Sequence, residues 1–108
     1  MTMDRIMLVC SAGMSTSLLV DKMEKSAAAQ GIEADIFAVS ATEAEAKLKE
    51  TDNPVDVLLL GPQVRFLKAQ FEAKVADQGI PVEVIDMKDY GMMNGEAVLK
   101  TAQNLIKK

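Results

Sequence analysis

The chain carries one cysteine, Cys10, at the junction of two contrasting stretches: the apolar "IMLV" before it and the small, hydroxyl-rich "SAGMSTS" after it. That arrangement suits thiol chemistry on an anion. Ser11, Ala12 and Gly13 are small enough for a loop to fold tightly around a tetrahedral anion, and Gly13 can take positive φ without steric cost. Met14 completes the loop. Ser15, Thr16 and Ser17 bring hydroxyls that can donate to phosphate oxygens or cap a helix. A helix starting near Ser15 or Thr16 aims unpaired N–H groups and the positive end of its dipole at the same small volume. A helix N-terminus also favours thiolate over thiol, so a nucleophile and an oxyanion pocket would share one loop. The chemistry that uses both is phosphoryl transfer through a cysteinyl phosphate, with Cys10 accepting and donating the group. The bland alternative is a small buried hydrophobe at a strand end.

Competing chemistries lack their residues. There is no GKS or GKT after the glycine and no GxGxxG, so nucleotide-binding loops are not expected. There is no CxxC for a thioredoxin-like couple, and a single cysteine cannot close an internal disulfide. The chain has no histidine, which argues against a zinc site or a Ser-His-Asp triad, and neither metal nor cofactor is expected. The small-phosphatase signature of cysteine, five residues and arginine would require Arg at position 16, which holds Thr16. Without a guanidinium to stabilise transition-state charge, hydrolysis should be slow, and a phosphocysteine that survives to be passed on fits better. A cysteine-dependent phosphatase and a non-catalytic anion-binding module with Cys10 as spectator stay open as alternatives.

These residues need a scaffold, and the composition provides for one. At 108 residues, 49% hydrophobic and 26% charged, the chain is expected to form one globular domain over residues 1–108. Twelve Lys and Arg against sixteen Asp and Glu argue against a nucleic-acid partner, and the charges alternate along "DKMEK" and "EAEAKLKE" as on solvated helix faces. The apolar stretch before Cys10 is too short for a signal core, and bulky Val9 stands where a small residue would precede lipoprotein cleavage. No run approaches the roughly 18 apolar residues of a membrane span, so direct insertion is not expected and the expected location is the cytoplasm.

Short apolar runs at "RIMLV" (5–9), "DIFAV" (35–39), "DVLLL" (56–60) and "VEVI" (82–85) read as strands. The first and third are apolar on consecutive positions, as where both sheet faces are covered; the fourth alternates more and suits an edge. Between them, Leu18, Leu19, Met23 and Ala27 form a helical stripe ending before Gly31, and "SATEAEAKLKE" offers a capped short helix with Ala44 and Leu48 inward. Pro62 suits the first turn of a third helix carrying Val64, Leu67, Phe71 and Val75 towards Gly79. Val98, Leu99, Ala102, Leu105 and Ile106 share one face of a last helix, with Lys107 and Lys108 at its end. The order βαβαβαβα gives an α/β, doubly wound domain: a four-stranded parallel sheet, order 2-1-3-4, with helices on both faces. Ligands in such sheets sit where strand order reverses, which puts Cys10–Ser17 beside Gly61, Pro62 and Gln63.

With those residues in place the sequence resembles a family. "CSAGMSTSLLVDKM" after "IMLV", "DVLLLGPQV", and "VEVIDMKDYGMMNGEAVL" together resemble the sugar-specific IIB component of the bacterial phosphoenolpyruvate-dependent phosphotransferase system, lactose/cellobiose (chitobiose) type, from about Arg5 to Lys107. The resemblance implies that Cys10 takes phosphate from a phosphohistidine on a IIA partner and passes it to a sugar held by a membrane IIC partner. It implies that residues 11 to 17 cradle the phosphate. Gln63, in the GPQ match, would face Cys10 across the reversal and shape the site or a partner face; a solvated polar residue at a helix start is the alternative. Tyr90 and Gly91 match the family's YG after the fourth strand, at the rim of the same sheet end, with a packed turn as the alternative. Met14, Met92 and Met93 are candidates for an adaptable contact surface, since flexible thioethers suit a protein that docks on two partners.

Overall fold

The computed structural model of the chain describes residues 4–10, 15–48 and 55–106, with the side chains of residues 15–17, 45, 47 and 48 outside the description. The strands are β1 (Asp4–Cys10), β2 (Ala34–Ser40), β3 (Val57–Leu60) and β4 (Val82–Val84). The helices are α1 (Ser15–Gln30), α2 (Ala41–Leu48), α3 (Lys68–Val75), α4 (Met87–Gly91) and α5 (Gly95–Ile106). The sheet runs β2-β1-β3-β4 and every pairing is parallel, so the order expected from the strand-helix alternation is the order found.

Side-chain alternation along the strands builds two cores, one on each face. Ile6, Leu8, Ile36, Val57 and Leu59 pack with Leu19, Met23 and Ala27 of α1 and Val98, Leu99 and Ala102 of α5. The intervening positions Met7, Val9, Val39, Leu58 and Leu60 pack with Ala44 of α2 and with Val64, Phe71 and Val75. Because both faces of β1 and β3 are covered, their central residues are all buried, which is why those two segments read as unbroken apolar runs. Each large side chain removed from water here contributes about 1.5–3 kcal/mol.

Local signals end the elements. Gly31, at φ +71°, closes α1, and the Ile32 N–H donates to the Ala27 carbonyl at 2.8 Å, a Schellman arrangement that only glycine adopts cheaply. Ser40 ends β2 and opens α2: its Oγ accepts from the Glu43 N–H at 3.3 Å, while Glu43 Oε1 accepts from the Ser40 hydroxyl at 3.1 Å. At the amino end, Arg5 pairs with Asp35 at 3.2 Å and lies 5.1 Å from the Phe37 ring, tying β1 to β2.

Three sequence expectations are corrected. Leu18 is not part of the inward stripe; it is 52% exposed, because the 100° step from Leu19 carries it off the buried line of Leu19, Met23 and Ala27. The third helix is not one regular helix: residues Pro62–Leu67 form a tighter 3₁₀ turn, interrupted at Val64 (φ −117°, ψ 23°), before α3 begins at Lys68. A short helix, α4, stands between β4 and α5, where sequence reading had only a turn. Asp86 explains it, since its side chain accepts from the Lys88 N–H at 2.8 Å and the Asp89 N–H at 3.4 Å. Leu48's side chain, Lys107 and Lys108 lie outside the described residues.

Candidate functional site

Parallel strands bring their carboxyl ends to one edge, and the hydrogen-bond ladder there runs one step past the strands. Val9 pairs with Leu60 and Leu60 with Val84. Beyond them the Gly61 N–H donates to the Val9 carbonyl at 2.8 Å, and the Ile85 N–H to the Leu60 carbonyl at 2.8 Å. Cys10, the Gly61–Gln63 turn and the start of α4 therefore share the edge at which strand order reverses between β1 and β3.

Cys10 is the last residue of β1, in register with Ser40, and is fully buried. Its even position places its side chain with Ile6 and Leu8 on the face covered by α1 and α5. On that face α1 begins at Ser15, with no acidic residue in its first turn. A free helix N-terminus aimed at an anion is compatible with that composition, since a carboxylate there would compete for the same N–H groups. Ser11, Ala12, Gly13 and Met14 lie outside the described residues, and the side chains of Ser15, Thr16 and Ser17 do as well.

Gln63 and Tyr90, assigned to the rim from separate parts of the sequence, are joined: Gln63 Nε2 donates to the Tyr90 hydroxyl at 3.0 Å. Tyr90 also packs against the α1/α5 core. Around this pair Pro62, Arg65, Phe66 and Met87 line an open depression of about 560 Å³. Phe66 is 75% exposed and Met87 63%, a pair of large apolar side chains at the carboxyl edge of the sheet. Of the methionines expected at a contact surface, Met92 is exposed, whereas Met93 is half-buried against the core and takes φ +53°.

Sequence reading missed Phe66 and Met87, and the signal that could have found them is weak. Phe66 sits off the inward line of Val64, Leu67, Phe71 and Val75, which turns it outwards, but a single exposed apolar residue in a sequence does not by itself mark a contact surface. Met87 follows Asp86, whose capping role marks it as a first-turn residue with its side chain free to face solvent.

Residues 5–101 match the family model described as "PTS system, Lactose/Cellobiose specific IIB subunit". The chain belongs to the lactose/cellobiose IIB family. Two proteins of Lactococcus lactis, the PTS system galactose-specific EIIB component of subsp. cremoris and the cellobiose-specific EIIB component of subsp. lactis, are each 52% identical to it over 94% of both chains. The oligo-beta-mannoside-specific EIIB component of Bacillus subtilis is 44% identical over 96% of this chain and 97% of that protein. The solution structure of a cellobiose-specific phosphotransferase IIB component from Borrelia burgdorferi superposes with a TM-score of 0.78 at 43% identity, covering 98% of this chain and 94% of that one. A lactose-specific IIB domain from Streptococcus pneumoniae has the same fold, with a TM-score of 0.82 at 12% identity over 96% of this chain and 98% of that one. This IIB chain is thus a sugar-specific component of a phosphotransferase system. Among the described residues, no helix is long and apolar enough to cross a membrane.

Proposed function

We propose that this IIB component is a phosphoryl carrier in which Cys10 relays phosphate from a IIA phosphohistidine to a sugar held by a membrane IIC protein. In the first step Sγ attacks phosphorus, the P–N bond breaks as the S–P bond forms, its electron pair returns to the departing imidazole nitrogen, and the thiol proton passes to that nitrogen or to solvent. In the second, a sugar hydroxyl attacks the same phosphorus, the O–P bond forms, the S–P bond breaks, and the hydroxyl proton leaves to sulfur or solvent. Residues 11–17 hold the phosphate oxygens with main-chain N–H groups and hydroxyls, and the chain acts in the cytoplasm. The relatives' names point to a sugar of the cellobiose, lactose or related oligosaccharide class.

The observation that carries this reading is the position of Cys10: it closes β1 at the switch point, five residues before the start of α1. That position supports the reading because a helix N-terminus offers N–H groups and the positive end of its dipole to a group bearing oxyanions. The absence of Lys and Arg from residues 10 to 20 supports carrying over hydrolysis, because a full positive charge would over-stabilise phosphocysteine and hinder its return to sugar. Cys10 is fully buried, so exchange includes an uncovering of Sγ before phosphorus is reached in line.

Cys10→Ser separates the readings. A carrier loses transfer from phosphorylated IIA altogether, whereas an anion-binding module keeps its affinity for inorganic phosphate. Release of phosphate from an aryl phosphate by the isolated wild type, without IIA, would instead establish a phosphatase.

A further inference from the structure

Gly61 poses a question that its backbone does not answer. At φ −63° and ψ 151° it is extended, a conformation any residue adopts. What a side chain there would meet is Gln63: a Cβ on Gly61 would stand 2.7 Å from Gln63 Oε1 and 3.2 Å from its Cδ, so it would displace the carboxamide. The carboxamide is folded back over the Gly61 α-carbon, with its nitrogen end on the Tyr90 hydroxyl at 3.0 Å. Gly61 in turn donates its N–H to the Val9 carbonyl, which belongs to the peptide that leads into Cys10. A continuous path of contacts therefore runs from α4 through Gln63 and Gly61 to the residue that carries the thiol.

We propose that Gln63 and Tyr90 are a single positioning unit, a clasp between the β3 exit and α4 that holds the Val9–Cys10 peptide in the orientation from which Cys10 exchanges phosphate. This rests on the carrier reading above. Gln63 is exposed and its side chain is long, so the Tyr90 hydroxyl restricts the rotamers in which its carboxamide covers the Gly61 turn. Tyr90 is suited to the role because its ring is anchored in the core while its hydroxyl reaches the rim. The clasp is too small to contribute much to global stability; its effect is geometric, and misplacement near reacting atoms is costly to rate.

The test measures single-turnover phosphorylation of the full chain by phosphorylated IIA as a function of IIA concentration, for wild type, Gln63→Ala, Tyr90→Phe, Gly61→Ala and the double variant Gln63→Ala/Tyr90→Phe. Each single variant is expected to lower the limiting rate about three- to tenfold, with the half-saturating IIA concentration unchanged. The double variant should lose less than the product of the two single losses, because both remove the Gln63–Tyr90 contact. Gly61→Ala, which displaces the carboxamide without removing either partner's polar atoms, should match Gln63→Ala. In wild type the Gln63 side-chain amide resonances should differ from those in Tyr90→Phe, with the urea midpoint unchanged. Wild-type limiting rates, multiplicative losses, a change only in half-saturation, or amide resonances indifferent to Tyr90→Phe would each overturn the clasp. A wild type that takes no phosphate would overturn the carrier reading itself, which a failing variant beside an active wild type cannot do.

Discussion

Replacing Gly95 by alanine should destabilise the protein, although alanine is the better helix former. Gly95 opens α5 and is buried against α1, where a Cβ would stand 2.6 Å from both the Lys22 carbonyl carbon and the Met23 nitrogen, and 2.8 Å from Lys22 Cβ. The first two are backbone atoms, so no rotamer change relieves the clash. To reach an ordinary contact of 3.4 Å, α5 must back away by roughly 0.8 Å. That gap opens along the seam where Val98, Leu99 and Ala102 meet Leu19, Met23 and Ala27. A radial gap of this size forfeits about a quarter to a half of the dispersion energy of each contact it widens. Overpacking of this kind costs about 1–3 kcal/mol, against a helix-propensity gain of about 0.5–1 kcal/mol that is smaller still at a first helical residue. The balance is a loss of about 1–2 kcal/mol, or about 4–12 °C in Tm for a chain of this size. Gly91 supplies the control: a Cβ there meets nothing within 4 Å, so Gly91→Ala should leave stability unchanged or raise it slightly. Urea titration and thermal melting by circular dichroism read both variants. A Gly95→Ala protein as stable as wild type would refute the claim that close backbone approach sets the α1–α5 packing.

Phe71, 1% exposed beneath β3 and β4, should cost about 3–5 kcal/mol when truncated to alanine, read as a lower urea midpoint with an unchanged slope. Asn94 caps α5 by accepting the Ala97 N–H at 3.1 Å, and Asn94→Ala should lose about 1 kcal/mol in the same assay. Thr16→Arg, which places a guanidinium in the first turn of α1, should shorten the lifetime of the phosphorylated protein, measured as inorganic phosphate released after IIA is removed; an unchanged lifetime would contradict the argument from missing positive charge.

The parallel sheet and its order were legible because β1 and β3 are buried on both faces and so carry runs such as "IMLV" and "VLLL" that tolerate no polar residue. The edge position of β4 was legible for the opposite reason, the polar Glu83 between two valines. What escaped depends on distances that no local pattern encodes. The hydrogen bond from Gln63 to Tyr90 spans 27 positions and exists only because parallel pairing sets the ends of β3 and β4 side by side. Phe66 falls off the i, i+3, i+4 line of Val64, Leu67 and Phe71 and so turns outwards, but that pattern does not show that it stands beside Met87 and Tyr90 at the sheet end. The five-residue α4 is too short for periodicity to reveal, and only the Asp86 cap announces it.

Intact-mass measurement of the chain after incubation with phosphoenolpyruvate, the general phosphotransfer proteins and IIA tests the relay most directly. The account predicts one added PO₃ unit that maps to Cys10, is absent from Cys10→Ser, and disappears when IIC and its sugar are supplied. An unmodified mass in the presence of active, phosphorylated IIA, or a phosphate mapped to any other residue, would contradict it.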